Sequence, residues 1–205
     1  MSSIYNDCDN FEEALTLPDN SYSLFTGYCY IEIIKPRLEY LGKIIEINCH
    51  RHYLYSCLKP ECVYVPTAWM HTLTIARNFD KHVKRVHKTL WEILDTNAPV
   101  LMVEAPAAMH RYVHEEDKQG VSKEHIEQRR RMYYEMIINP VLHRMSYLDL
   151  NTVIPDDSPL VKENLCNEYN AAPWHMASPM YDVFCEIFIT WKTKKVVEIP
   201  LSIYN

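Results

Sequence analysis

Short apolar runs alternate along the chain with longer segments in which apolar residues recur at helical spacing. The run at 99–103 is continuously apolar and bounded by turn residues, which is typical of a strand buried on both faces. Four further runs carry enough apolar residues to be strands. The pattern therefore predicts five strands, at 23–27, 43–48, 62–66, 99–103 and 145–150.

Helical spacing is clearest at 78–94, where the apolar residues form a single stripe. Helices are also predicted at 30–41, at 122–142 with Ser122 as a candidate N-cap, and at 178–191. In the first of these helices, Pro36 is expected to cause a kink unless the helix starts late. Gly42 is a plausible C-terminal end for the same helix. The first 20 residues are predicted to be irregular, and 195–203 to form a strand at an edge of the sheet.

The alternation of strands and helices favours an α/β fold with three layers, in which a mainly parallel five-stranded sheet is covered on both faces. Its expected winding is flavodoxin-like, so a functional crevice is expected beyond the carboxyl ends of the strands. Residues 27–29, 66–71, 104–109 and the segment from 151 onward would gather there. We expect an irregular lead-in at 1–22 and a single domain at 23–205.

Composition bounds the function without identifying it. The chain has 205 residues, of which 48% are hydrophobic and 23% charged, as in ordinary soluble globular proteins. A formal net charge of -6 gives no support for nucleic-acid binding. No run approaches the roughly 18 apolar residues of a membrane span. Only three glycines occur, and neither a GxGxxG nor a P-loop pattern is present, so no nucleotide cofactor is predicted.

The N-terminus is polar and acidic, unlike a signal peptide. Seven cysteines form no regular framework, which favours reduced intracellular thiols. We therefore expect a cytoplasmic protein, unless a leader was removed before residue 1.

Two motifs carry a resemblance to a known family. His175 follows the alternating elements, where a serine-esterase scaffold places its general base, and Gly27-Tyr28-Cys29 follows the first strand. The chain resembles the SGNH (GDSL-type) hydrolases, in their PC-esterase-like branch, from about 23 to 191. In that family the first motif is Gly-Asp-Ser and the last is Asp-x-x-His. Here Cys29 takes the place of the serine in the first motif, and Ala172 takes the place of the aspartate in the last motif.

The resemblance implies roles for these residues. His175 would be the general base, and Cys29 would be the nucleophile, since a thiol beside a histidine can become a thiolate. The oxyanion-stabilising glycine and asparagine of the family have no obvious counterparts. Candidate substrate-binding residues along the crevice are Gly27, Tyr28, Trp69, His71 and Trp174.

Two functions remain open on these grounds. The chain is either a non-catalytic or diverged SGNH-hydrolase-like domain that binds a small-molecule ester or a protein partner in its crevice, or a carboxyl-ester or acetyl-ester hydrolase using Cys29 and His175. The missing serine and aspartate favour the first. For Trp69 and His71, a packed aromatic with a histidine at the rim is the alternative to a substrate pocket.

A group of thiols and imidazoles at 49–62 has a metal interpretation, because these are the usual ligands of zinc. It contains Cys49, His50, His52, Cys57 and Cys62. The spacings are not those of a zinc finger, so no metal site is predicted, and reduced thiols are favoured over zinc or a disulfide. The basic run at 81–88 is interpreted as the solvated face of an amphipathic helix.

Overall fold

A computed structural model of the chain describes residues 4–27, 30–48, 54–69, 78–106, 123–154 and 178–204. At its centre lies a five-stranded sheet with the order β2-β1-β3-β4-β5, in which every neighbouring pair is parallel. This arrangement confirms the predicted α/β fold. The strands are β1 (Ser23–Gly27), β2 (Ile44–Asn48), β3 (Cys62–Thr67), β4 (Val100–Glu104) and β5 (Ser146–Asp149).

Helices surround the sheet. Those in the described part of the chain are α1 (Ile4–Thr16), α2 (Tyr30–Leu38), α3 (Phe79–Leu94), α4 (Lys123–Tyr133) and α5 (Ser178–Lys194). A π-helical turn, Tyr134–Ile138, continues α4 and is followed by a 3-10 segment, Asn139–Arg144. Shorter 3-10 turns lie at Glu39–Leu41, Tyr55–Cys57, Leu150–Thr152 and Leu201–Tyr204. Within the ranges described, none of the helices is long and apolar enough to cross a membrane.

Each face of the sheet carries its own core, because successive side chains of a strand point to opposite faces. The α5-side core includes Phe25, Tyr64 and Phe188, whose ring centroids lie 4.8–5.3 Å apart. The Tyr64 hydroxyl donates to the Phe184 carbonyl oxygen at 2.8 Å, so this buried phenol has its partner. The α3-side core is built from the alternate strand positions together with α3 and the region of α4.

The predicted helix stripes are confirmed with shifts at their ends. Asn78 caps α3, since its side chain accepts from the Lys81 backbone N–H at 3.1 Å. Pro36 lies inside α2, which ends at Leu38 and passes into a 3-10 turn. The helix predicted at 122–142 is regular only to Tyr133, where the π-helical turn begins. Pro140 has no backbone N–H to continue an α-helix.

Two predictions at the ends of the chain are wrong. Residues 4–16 of the predicted irregular lead-in form α1, which packs along β2. Residues 195–203 form no edge strand; Lys195 adopts a left-handed backbone (φ 61°) directly after α5, and the tail ends in the 3-10 turn Leu201–Tyr204. Local patterns missed both outcomes because packing against the sheet and the left-handed residue decide them.

Candidate ligand-binding groove at the carboxyl end of the sheet

Gly27 lies at the carboxyl end of β1, beside β3, and was predicted to contact a substrate. A Cβ atom built on Gly27 would lie 2.3 Å from the Pro66 carbonyl oxygen, so no larger residue fits without moving the backbone. The close approach of β1 to β3 thus requires glycine here, irrespective of any ligand.

Trp69 follows β3 and is the second predicted substrate-binding residue that lies within the described ranges. Its indole is 2% exposed and belongs to the α3-side core. Its backbone N–H donates to Thr67 Oγ1 at 3.1 Å, which ties the chain back to the end of the strand. The observed burial agrees with the alternative of a packed aromatic residue.

The remaining predicted site residues lie outside the described ranges. They are Tyr28, Cys29, His71, Trp174 and His175. The nucleophile–base pair therefore stays a prediction.

The thiol and imidazole group is described only in part. Cys49, His50 and His52 lie outside the described ranges, whereas Cys57 and Cys62 are thiols without a disulfide bond. Among the residues that the structure describes, no three histidine, cysteine or carboxylate side chains are grouped to hold a metal ion.

Two carboxylates meet where β4 and β5 end. Glu104 and Asp149 are register partners in these adjacent parallel strands, so their side chains leave the same face of the sheet. Glu104 is fully buried and accepts a hydrogen bond of 2.5 Å from the Tyr133 hydroxyl. Burial and the nearby Glu104 carboxyl raise the pKa of Tyr133 well above its ordinary value, so this phenol remains a donor.

Asp149 is held by the residue two positions further on. The backbone N–H and the side-chain Nδ2 of Asn151 donate to Asp149 Oδ1 at 2.9 and 2.6 Å. Asn151 Nδ2 also donates to the Ala105 carbonyl oxygen at 3.1 Å, which links the ends of β4 and β5. Burial raises the pKa of Asp149, while Asn151 and the charge of Arg130 act in the opposite direction.

Tyr147 lies on the same face of β5, two residues before Asp149. Its hydroxyl oxygen is buried, and no described residue forms a hydrogen bond with it. Burial, followed by the charges of Glu104 and Asp149, raises the pKa of Tyr147 well above its ordinary value. The hydroxyl is therefore a protonated donor, and the described part of the chain offers it no acceptor, which is an unfavourable state for a buried polar group.

An open groove of about 560 Å³ lies between β5 and the end of α4. Tyr147 and Asp149 form part of one wall, and Arg130 and Tyr134 part of the other. Tyr134 comes from the π-helical turn, a distortion that is frequent at functional sites. The rings of Tyr134 and Tyr147 lie 6.3 Å apart at 48°, so the groove has both aromatic surface and convergent polar groups.

Sequence reasoning placed the rim of the crevice at 104–109 and from 151 onward, but it did not identify this groove. A usable signal was present in Glu104, a carboxylate directly after a continuous apolar run. The tyrosines gave no such signal, because a half-buried tyrosine is ordinary in any fold.

Comparison with family models, with curated proteins and with solved structures gives no match for this chain. The fold class therefore rests on the sheet order and its helical layers. The resemblance to SGNH hydrolases stays a prediction from the sequence, made mainly from the order of elements and the position of His175.

Proposed function

We propose that this chain is a diverged, non-catalytic SGNH-hydrolase-like domain that binds a small organic ligand in the groove beside β5. The observation that carries the proposal is Tyr147, a residue that lines the groove and whose buried hydroxyl has no acceptor among the described residues. Such a donor is unfavourable when it has no acceptor, and a ligand in the groove can supply one once the Tyr147 side chain turns its buried hydroxyl toward the groove.

The groove chemistry indicates the class of ligand. Tyr147 remains protonated, so the ligand atom opposite it is a hydrogen-bond acceptor such as an ester or amide carbonyl oxygen. Tyr134 offers a flat ring to an aromatic or apolar group. The volume lies within the roughly 300–1,000 Å³ typical of small-molecule sites.

Binding is favoured over hydrolysis by the composition of the groove. Its described walls contain no serine, cysteine or histidine, so they supply no nucleophile with an imidazole base. The hydroxyl of Thr152 already donates to the Asp149 carbonyl oxygen at 2.7 Å. The ester hydrolase using Cys29 and His175 remains the alternative, and it would use residues outside the described ranges.

The proposal is tested with two matched carbonyl compounds, phenyl acetate and acetanilide. Protein carrying isotope-labelled tyrosine is titrated with each compound, and ring signals are followed by NMR. We expect the signals of Tyr134 and Tyr147 to shift, and Tyr147→Phe to weaken binding about fivefold through loss of one hydrogen bond. Tyr40→Phe is the control, since Tyr40 is 72% exposed and lies in the turn after α2.

Failure of both compounds to shift these signals contradicts the proposal, as does equal affinity in Tyr147→Phe. Turnover of p-nitrophenyl acetate is measured in parallel with His175→Ala and Cys29→Ala variants. We expect no protein-dependent turnover. Turnover that disappears in both variants would establish the hydrolase alternative instead.

A further inference from the structure

A second pocket lies at the opposite, amino end of the sheet, with a volume of about 260 Å³. Here β3 begins at Cys62, and the last turn of α5 brings cationic side chains beside it. The pocket is lined by Glu61, Cys62, Pro99, Trp191, Lys192 and Lys195. Its size suits a ligand smaller than those of ordinary drug-sized sites.

Lys192 places a nearly buried ammonium group in this pocket. Its side chain is 11% exposed, and Nζ donates to Ser23 Oγ at 2.8 Å. The same nitrogen lies 3.4 Å from a carboxylate oxygen of Glu61 and 5.9 Å from the centre of the Phe188 ring. Ser23 also accepts from the Cys62 thiol at 3.4 Å, so the charge and the thiol share one buried hydroxyl.

Lys195 adds a second cation. Its left-handed backbone and the bond from its N–H to the Trp191 carbonyl oxygen, 2.9 Å, hold it at the pocket. In the described part of the chain no carboxylate lies within 4.0 Å of its ammonium group. Burial raises the pKa of Cys62, while the charges of Lys192 and Lys195 oppose that rise.

The pocket is therefore lined by two lysines, the nearly buried Lys192 and the exposed Lys195, and by one carboxylate, Glu61, in a protein whose formal net charge is -6. We propose that this pocket binds a small oxyanion, either a phosphate or a short carboxylate, through Lys192 and Lys195. The Cys62 thiol lies at its wall. A bound oxyanion neutralises the excess positive charge in a partly desolvated place, where Coulomb attraction is stronger than in water.

The cations also have a purely structural explanation, since basic residues complement the negative end of a helix dipole. That explanation applies to Lys194, which ends α5 and pairs with Glu198 at 3.5 Å. Lys195 lies beyond the helix and lines the pocket instead. The two neighbouring lysines therefore form a matched pair for the test.

The experiment follows alkylation of Cys62 by iodoacetamide, measured peptide by peptide with mass spectrometry. Inorganic phosphate and acetate are added separately, against potassium chloride at equal ionic strength. We expect at least one oxyanion to slow alkylation of Cys62 with saturation and to leave the exposed Cys57 unaffected. Binding of phosphate is also followed directly by line broadening of its ³¹P NMR signal, which decides the case where Cys62 reacts too slowly.

Lys195→Asn removes the charge and keeps a residue that tolerates the left-handed backbone. We expect it to weaken binding of the oxyanion about tenfold, a change of about 1.4 kcal/mol. Lys194→Gln should leave binding unchanged. Absence of saturable binding for both oxyanions overturns the proposal, as does an equal effect of the two substitutions. The groove beside β5 is not involved, so either outcome leaves the proposed function unaffected.

Discussion

The two edge strands of the sheet, β2 and β5, have different neighbours. At β2, α1 packs along the strand, and Asn10 Nδ2 donates to the Glu46 carbonyl oxygen at 2.8 Å. Glu13 of α1 also pairs with Lys43, the residue before β2. At β5, a groove separates the strand from a π-helical turn, and the buried hydroxyl of Tyr147 has no hydrogen-bond partner within the described ranges.

Under the proposed function, the β2 edge serves stability and the β5 edge serves contact with a ligand. Backbone and side-chain polar groups at an edge must find partners, because an unpaired buried group is unfavourable. The chain supplies a partner from its own α1 at β2. At β5 it keeps a donor, an aromatic ring and an open volume together. The following predictions test this contrast, beginning with the largest expected effect.

Tyr133→Phe should lower the free energy of unfolding by about 2 kcal/mol, because it removes a donor to a fully buried carboxyl group. Glu104 then loses its 2.5 Å hydrogen bond from α4. Urea denaturation measures the change. Tyr134→Phe, at the next residue, is the control and should change stability by less than about 0.5 kcal/mol because its side chain is exposed. Equal losses in the two variants would contradict the role given to Glu104.

Asn10→Ala should lower the free energy of unfolding by about 1 kcal/mol, since the Glu46 carbonyl oxygen loses a donor at a half-buried position. The same denaturation experiment serves, with Glu12→Ala on the exposed side of α1 as its control. A loss no greater than that of Glu12→Ala would mean that α1 does not secure this edge through Asn10.

Each edge strand also carries a carboxylic acid whose pKa is raised by burial. Burial raises the pKa of Asp149 beside β5 and the pKa of Glu46 on β2, although Lys35 opposes the latter. An acid with a raised folded-state pKa binds more protons in the folded state, so stability falls as the pH rises from about 4 through the folded pKa. Asp149→Asn and Glu46→Gln should each remove part of that fall.

The measurement is the free energy of unfolding at a series of pH values between acid and neutral. The free energy of unfolding of each variant, minus that of the wild type, should increase as the pH rises. In Asp149→Asn, the side-chain oxygen can still accept the hydrogen bonds from Asn151. A pH-dependent change in stability would therefore come from loss of the titrating carboxyl group and not from loss of these hydrogen bonds. Parallel curves for variant and wild type would show that the acid is not perturbed in the folded protein.

The strands and most helices could be predicted from the sequence because hydrophobic periodicity reports burial directly. The run at 99–103 indicated β4 to within one residue, and the stripe at 78–94 indicated α3. The groove could not be predicted in the same way. Its walls combine Tyr134 of a π-helical turn with Tyr147 of a strand, and only the tertiary structure brings these residues together.

A similar limit applies to residues that were predicted to bind a substrate. Gly27 was chosen from a family motif, yet its lack of a side chain is required by the Pro66 carbonyl oxygen. Trp69 was chosen from its place after β3, and it is buried in the core. Sequence position identified the end of each strand to within one residue, whereas the direction and burial of a side chain depend on neighbours far along the chain.

The smallest expected effect gives the sharpest distinction between the edges. Tyr147→Phe removes a buried hydroxyl without a described partner, so it should leave the free energy of unfolding unchanged or raise it by at most about 1 kcal/mol. Tyr133→Phe makes the same chemical change in the neighbouring phenol and should be clearly destabilising. If Tyr147→Phe instead lowers stability by about as much, its hydroxyl already has an acceptor in the free protein, and the case for a ligand in the groove loses its main support. A neutral effect on stability together with weaker ligand binding would show that this hydroxyl serves a contact outside the fold.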